Sequence, residues 1–423
     1  MEPTREHAFS YRDGVLCAEA VSLDALAEEH GTPLFVYSHD TLVSRFHRLR
    51  RAFAPLEPLI AYSVKANPSL GVIRSLAREG SGADVVSVGE LERALLAGVA
   101  PGAIVFSGVG KRRDELEAGL AAGIRCFNVE VAEELELLSQ LAVARGVVAP
   151  IAFRVNPDVD AKTHRHITVG RKVDKFGVPF EQAVALYRRA AELPGVDPRG
   201  IDCHIGSQLT QLDPFRQALA RIGELVGTLR AQGLAIEWVD VGGGLGVRYR
   251  DETPPTIEAY AEVVRDAVSA LGCQAILEPG RILAAPAGVL LTEVLYRKQV
   301  GEKRFVIVDA AMTDLPRPAL YDARHDVWAV REGTPLIQGD VVGPVCESGD
   351  FLAREEQVPD AQVGERICVL GAGAYCRSMT STYNSRPRAA EVLVRGDEVH
   401  LIQRRERLEE LWAHERIPEF LGS

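Results

Sequence analysis

The chain has 423 residues, 47% hydrophobic and 25% charged, with 48 basic against 59 acidic side chains and a formal net charge of −11. Such a composition is globular and allows two domains, or one barrel with an addition. The acidic balance, with no basic block, argues against nucleic acid or an anionic membrane as a partner.

Seven cysteines (Cys17, Cys126, Cys203, Cys273, Cys346, Cys368, Cys376) are scattered without a CxxC pair. They read as reduced thiols of a cytoplasmic protein. The polar start Met1–Glu6 predicts no secretory signal, and no apolar run is long enough to span a bilayer.

In chain order, Pro33–Tyr37 is the first strand candidate, expected to join a later β-domain. From about residue 40 to 285 β-like and amphipathic runs alternate. The strand candidates are Leu59–Lys65, Ala83–Ser87, Ala103–Ser107, Arg125–Val129, Ile151–Val155, Gly200–His204, Ile236–Val241 and Gln274–Glu278. Helical patterns between them include Gly89–Ala97, Arg113–Ala121, Glu133–Ala144, Glu181–Ala191, Pro214–Ala231 and Ile257–Leu271. The last strands are crowded with apolar residues, as parallel strands covered on both faces should be. Eight strand–helix units over about 250 residues match a closed (β/α)8 barrel, with an open doubly wound sheet as the competing topology. After about residue 286 short runs (Leu290–Tyr296, Arg304–Val308, Val341–Cys346, Glu365–Leu370, Ala390–Val394, Glu398–Gln403) alternate with turn residues. They predict a mainly antiparallel β-domain. The expected division is a barrel over 39–285 and a discontinuous β-domain from 1–38 with 286–423.

In such a barrel, chemistry sits at the C-terminal ends of the strands. Lys65 ends an apolar run that is halted by Asn67-Pro68. Burial there disfavours its charged form, and a neutral amine forms a Schiff base with an aldehyde such as pyridoxal phosphate. The alternative is a lysine snorkelling at a strand end. Asp84 lies in the second strand, His204 closes the sixth and Glu278 the eighth. Barrel closure makes the first and eighth strands neighbours, so Lys65 and Glu278 converge. Gly242-Gly243-Gly244-Leu245-Gly246 follows the seventh strand; it fits neither a dinucleotide fingerprint nor a P-loop. Consecutive glycines still let backbone N–H groups approach a phosphate, although a tight turn would use them too. His204 is either a core histidine or a flat group stacked on a cofactor ring. Glu278 either pairs with Arg281 or keeps a pyridine nitrogen protonated. His164 and His166 lack further ligand spacing, so no metal is expected. In the β-domain, Arg317 and Tyr321 lie four residues apart, and Cys346 adjoins Glu347.

Taken together, these segments resemble the fold-type III PLP decarboxylases, most closely the branch that acts on diaminopimelate. The matching stretches are Tyr62–Asn67, Phe106–Lys111, Arg154–Val159, Gly200–Gln208, Gly242–Gly246, Glu278–Arg281, Arg317–Tyr321, Cys346–Asp350 and Tyr383–Val394. The resemblance covers about Phe35 to Val394. It implies an alanine-racemase-like barrel, a C-terminal β-domain, and a head-to-tail homodimer with shared active sites.

By that resemblance Lys65 anchors the cofactor, His204 stacks on its ring and Glu278 meets the pyridine nitrogen. Asp84, Ser207, Gly243, Gly244, Gly280, Arg281 and Tyr375 complete the cofactor site. Arg281, Arg317, Tyr321 and Tyr375 are expected to grip a substrate carboxylate. Cys346 and Glu347 are expected from the partner subunit, Cys346 as the proton donor and Glu347 as a contact to the distal amine. A retained distal carboxylate calls for arginine, whereas ornithine or arginine as substrate would call for an acidic group. The expected reaction is decarboxylation of meso-2,6-diaminopimelate to L-lysine. Thr313 and Thr382 stand where the family usually has asparagine, which keeps another, modified or carrier-linked amino acid open as the alternative substrate.

Overall fold

The computed structural model describes residues 7–159 and 175–422. His164 and His166 lie outside the described residues. Two compact units divide the chain: Leu42–Ala284, and Met1–Thr41 with Ala285–Ser423.

The first unit is a closed parallel barrel. Its strands are β1 (Leu59–Ser63), β2 (Gly82–Val85), β3 (Ile104–Phe106), β4 (Cys126–Val129), β5 (Ala149–Asn156), β6 (Val196–Asp202), β7 (Trp238–Asp240) and β8 (Gln274–Leu277). They pair in order, and β8 returns to β1 through Ile276↔Leu59 and Leu277↔Ile60. Ala61, Val105, Cys126, Trp238 and Ile276 form a buried cluster. Small residues make room for the indole: a Cβ on Gly200 would lie 1.9 Å from Trp238 Nε1. Local chemistry sets the helices between strands. Ser87 and Thr256 cap Val88–Leu96 and Ile257–Leu271, each accepting from a backbone N–H in the first turn. Gly272, in the left-handed region, ends the second.

Each predicted barrel strand is present, with shifted ends. The first stops at Ser63, and Lys65 belongs to a single 3-10 turn, Val64–Ala66. Pro68 forces Asn67 to be extended, so the chain turns before it. The sixth strand stops at Asp202 and the eighth at Leu277, leaving His204 and Glu278 in the loops beyond.

The second unit is built on a nine-stranded sheet. Leu34–Ser38 is an interior strand of it, antiparallel to Gly288–Val300 and parallel to Ala390–Arg395. Lys303–Val308 and Leu336–Val342 are also parallel, but the other pairings are antiparallel, so the sheet is mainly antiparallel as expected. Its core includes Leu16, Leu23, Leu34, Val36, Leu291 and Val392. A small sheet of Phe9–Arg12, Val15–Ala18 and Val21–Ser22 and the strand Phe351–Pro359 are additions to the predicted elements. The strand expected over Val341–Cys346 ends at Val342, which leaves Cys346 in a loop. Among the described residues no helix is long and apolar enough to cross a membrane.

Candidate active site

The strand ends of the barrel carry a cation above a group of buried carboxyls. Lys65 Nζ lies 2.6 Å from Asp84 Oδ2; the lysine side chain is 35% exposed and Asp84 fully buried. The lysine is therefore ion-paired and only partly desolvated, unlike the buried neutral amine expected of a strand end. Ser63 Oγ is 2.9 Å from the same Asp84 oxygen and 3.0 Å from the Glu278 carbonyl oxygen. That hydroxyl ties β1, β2 and the end of β8 together.

Deeper in the barrel, carboxylate oxygens of Asp202, Asp240 and Glu278 lie within 4.8 Å of one another. Burial, then the charges of Asp240, Asp84 and Asp202, push Glu278 well above the usual carboxylate range. Asp240 is pushed up to about 6 by burial, against hydrogen bonds from the Gly242 N–H and from Glu278. Burial, followed by Asp240, also raises Asp202, although Arg154 opposes it. Ser107 Oγ donates to Glu278 Oε1 at 3.2 Å. Asn128 Nδ2 stands 3.2 Å from Ser107 Oγ. Asp84 Oδ1 and Asp202 Oδ1 are buried with no hydrogen-bond partner among the described residues.

His204 is held from one side. Its Nδ1 accepts from the Gly243 N–H at 3.2 Å, so the proton of the neutral ring is on Nε2. Burial, then the Arg154 and Lys65 charges, lowers its pKa well below the usual value. The result is a flat, neutral ring. The adjoining glycines are required by close approach: a Cβ on Gly243 would lie 2.3 Å from the Glu278 carbonyl oxygen, and one on Gly242 2.6 Å from His204 Nδ1. Beside them Arg281, which begins the short helix Arg281–Ala284, donates through Nη2 to Ser207 Oγ at 2.8 Å and through Nη1 to Tyr249 OH at 2.6 Å. These contacts, rather than one to Glu278, orient the guanidinium. Gly280 precedes it, its backbone carbonyl accepting from the Ala284 N–H at 3.0 Å.

The donor set fits pyridoxal phosphate. Lys65 is the amine, and His204 a neutral ring for stacking. The buried acidic group calls for a positive charge, which a protonated pyridine nitrogen would provide. Ser207, Arg281 and the glycine backbone suit a phosphate.

The β-unit holds the remaining residues. Arg317 and Tyr321 lie on the short helix Arg317–Tyr321. Arg317 is buried, with Nη1 2.8 Å from His325 Nε2. His325 Nδ1 is 2.7 Å from the Leu370 carbonyl, which places the imidazole proton on Nδ1 and leaves Nε2 to accept from the arginine. Tyr321 OH lies 3.9 Å from Met379 Sδ. Cys346 is exposed, and its N–H donates to Asn384 Oδ1 at 3.1 Å. Glu347 is exposed beside it, accepting from the Ser348 N–H. Asp350 stabilises this loop by accepting from the Met312 and Val345 N–H groups at 2.6 and 2.7 Å. Tyr375 has a left-handed backbone, φ 57°. The Thr313 carbonyl accepts from the Ser381 N–H at 3.1 Å, so the segments bearing Thr313 and Thr382 are joined.

Asp202, Asp240, Arg154 and Tyr249 were not among the residues predicted for the site. Asp202 and Asp240 carry a signal: they are buried carboxylates that close β6 and β7 directly after Gly200-Ile201 and Trp238-Val239. Arg154, 3.2 Å from Glu130, is the one charged residue of β5, and that isolation is its signal.

Comparison with known proteins adds independent findings. Residues 39–285 match the family described as pyridoxal-dependent decarboxylase, pyridoxal binding domain. The diaminopimelate decarboxylase of Pseudomonas aeruginosa is 51% identical over 411 residues, 97% of this chain and 99% of that protein. The crystal structure of diaminopimelate decarboxylase from Helicobacter pylori complexed with L-lysine superposes with a TM-score of 0.90 at 40% identity, covering 93% of this chain and 98% of that one. The diaminopimelate decarboxylase of M. jannaschii, in co-complex with L-lysine, gives a TM-score of 0.93 at 36% identity over 98% of this chain and 99% of that one.

Proposed function

The chain belongs to the pyridoxal-dependent decarboxylases, in the branch of the diaminopimelate decarboxylases, and from that membership we propose that it converts meso-2,6-diaminopimelate to L-lysine and carbon dioxide. The observation that carries the chemistry is Lys65, ion-paired with Asp84 above the buried Asp202, Asp240 and Glu278. Pyridoxal phosphate, when bound, supplies the electron sink for the pair left by the departing carboxylate.

The chain's own residues do the rest. Lys65 anchors the cofactor, and Asp84 keeps its ammonium in place until then. Glu278, grouped with Asp240 and Asp202, would meet the pyridine nitrogen and keep it protonated. His204 would stack on the ring. Ser207, Gly243, Gly244, Gly280, Arg281 and Tyr375 receive the phosphate. Arg317, oriented by His325, together with Arg281, Tyr321 and Tyr375, grips a substrate carboxylate. A planar, fixed guanidinium suits the end of diaminopimelate that is retained. The partner subunit's Cys346 would serve as the proton donor, and the partner subunit's Glu347 would meet the distal amine. The working assembly is thus a homodimer. Seven free cysteines support a reducing, cytoplasmic setting.

The test is direct. Purified protein with pyridoxal phosphate should release carbon dioxide from meso-diaminopimelate and form L-lysine in the same tube. Lys65→Ala should lose both activities and the imine absorbance. Release from ornithine or arginine alone would reject the assignment.

A further inference from the structure

The loops that follow β6 and β7 run side by side. Leu209 N–H donates to the Gly244 carbonyl at 2.9 Å, and Gly246 N–H donates to the Leu209 carbonyl at 2.9 Å. These bonds make an isolated parallel bridge, Leu209↔Leu245. The next backbone group in line is Val247, and its partner is a side chain. Gln208 Nε2 donates to the Val247 carbonyl at 2.6 Å, and the Val247 N–H donates to Gln208 Oε1 at 3.1 Å. A carboxamide copies the peptide group, with one acceptor beside its donors, so Gln208 adds a rung to the ladder. The pair of bonds fixes which end of the amide faces which group.

Two further features mark this joint. Gln208 has φ 59°, in the left-handed region that a residue with a Cβ adopts only where surrounding contacts enforce it. The loops meet backbone to backbone: a Cβ on Gly244 would lie 2.5 Å from the Gly206 carbonyl oxygen, and one on Gly246 2.8 Å from that of Leu209.

We propose that Gln208 is a positioning residue for an anion, the cofactor phosphate, and that its clasp on Val247 holds the Gly242–Gly246 loop against Gly206 and Ser207 so that their N–H and hydroxyl groups converge. The proposal rests on the reading of these loops as the phosphate site. Gln208 touches no reacting atom. It acts by keeping the loops in register, so its loss should weaken phosphate recognition and spare the amine and ring contacts.

The experiment compares two ligands that differ only in the phosphate. Full-length protein, stripped of cofactor, is titrated with pyridoxal phosphate and with pyridoxal, following the imine absorbance. Gln208→Ala should weaken pyridoxal phosphate binding by about tenfold or more, the loss of roughly one hydrogen-bonded clasp, and pyridoxal binding by less than about twofold. Gln208→Glu, similar in shape, should bind as poorly as the alanine variant, because a carboxylate oxygen then faces the Val247 carbonyl. Gln208→Gly relieves the backbone strain and should not restore affinity. Equal weakening for both ligands, no weakening, or wild-type affinity in Gln208→Glu would overturn the proposal. If wild-type protein gains nothing from the phosphate, the phosphate-site reading itself is wrong and the proposal goes with it.

Discussion

Lys65 faces Asp84 at 2.6 Å, and behind that pair the carboxyls of Asp202, Asp240 and Glu278 crowd into a buried space. Like charges so close cannot all ionise, and protons must be shared among them. A cationic ring nitrogen would relieve that repulsion, which is why Glu278 matters through its charge. Glu278→Gln keeps the shape and removes the charge. It should retain the cofactor yet lower kcat by about 10²- to 10³-fold, the scale of losing one preorganised electrostatic contact. A near-normal kcat would remove Glu278 from the reaction. Cys346→Ala should leave binding intact and slow turnover by about 10²- to 10⁴-fold if the thiol is a general acid. His204, held neutral by burial, should contribute no ionisation limb to the activity profile near neutral pH. A limb that disappears in His204→Phe would contradict that.

Helices and strands carry predictions of their own. Glu90 lies in the first turn of Val88–Leu96, accepts from the Val86 N–H at 2.9 Å, and is pushed up to about 7, chiefly by burial. Its folded pKa lies above the unfolded one, so the fold favours the protonated form. The associated stability is full below the unfolded value of 4.5 and is lost as pH rises through about 7. Glu90→Gln keeps the acceptor and cannot ionise. It should match wild type at pH 4 and exceed it at pH 8, by at most about 3 kcal/mol. Urea unfolding of the cofactor-free protein at both pH values measures this, and equal curves at pH 8 would refute it. On β6, Gly200→Ala would force a methyl into Trp238. It should destabilise the barrel by about 1–3 kcal/mol, visible as a lower Tm. The strand Phe351–Pro359 shows why one element was missed. Arg354, Glu355 and Gln357 face solvent, and it pairs with Leu336–Val342 through a shifted register. Its charged residues resemble a loop until that pairing is known.

At the scale of the whole molecule the homodimer is the testable statement. Lys65→Ala and Cys346→Ala proteins, each with about 1% of wild-type activity or less, should regain up to about a quarter of it when subunits exchange, since half the dimers are mixed and each then holds one intact site. No recovery after proven exchange would mean that each subunit builds its site alone. The barrel was legible along the chain because its signals are local. Eight apolar runs bounded by breakers gave its count and order, and the odd residues at their ends (Lys65, Asp84, His204, Glu278) marked the mouth. The first strand ends at Ser63, two residues before Lys65, although apolar character continues past the last ladder bond to Val64. What linear reading could not supply is distance. Asp202, Asp240 and Glu278 are far apart in sequence and meet because β6, β7 and β8 pair in parallel, Asp202 opposite Asp240, so that successive strand ends share one space. The charge beside Lys65, the proton sharing among three carboxyls and the clasp of Gln208 on Val247 all depend on that convergence, because Coulomb forces and hydrogen bonds act through space and not along the chain.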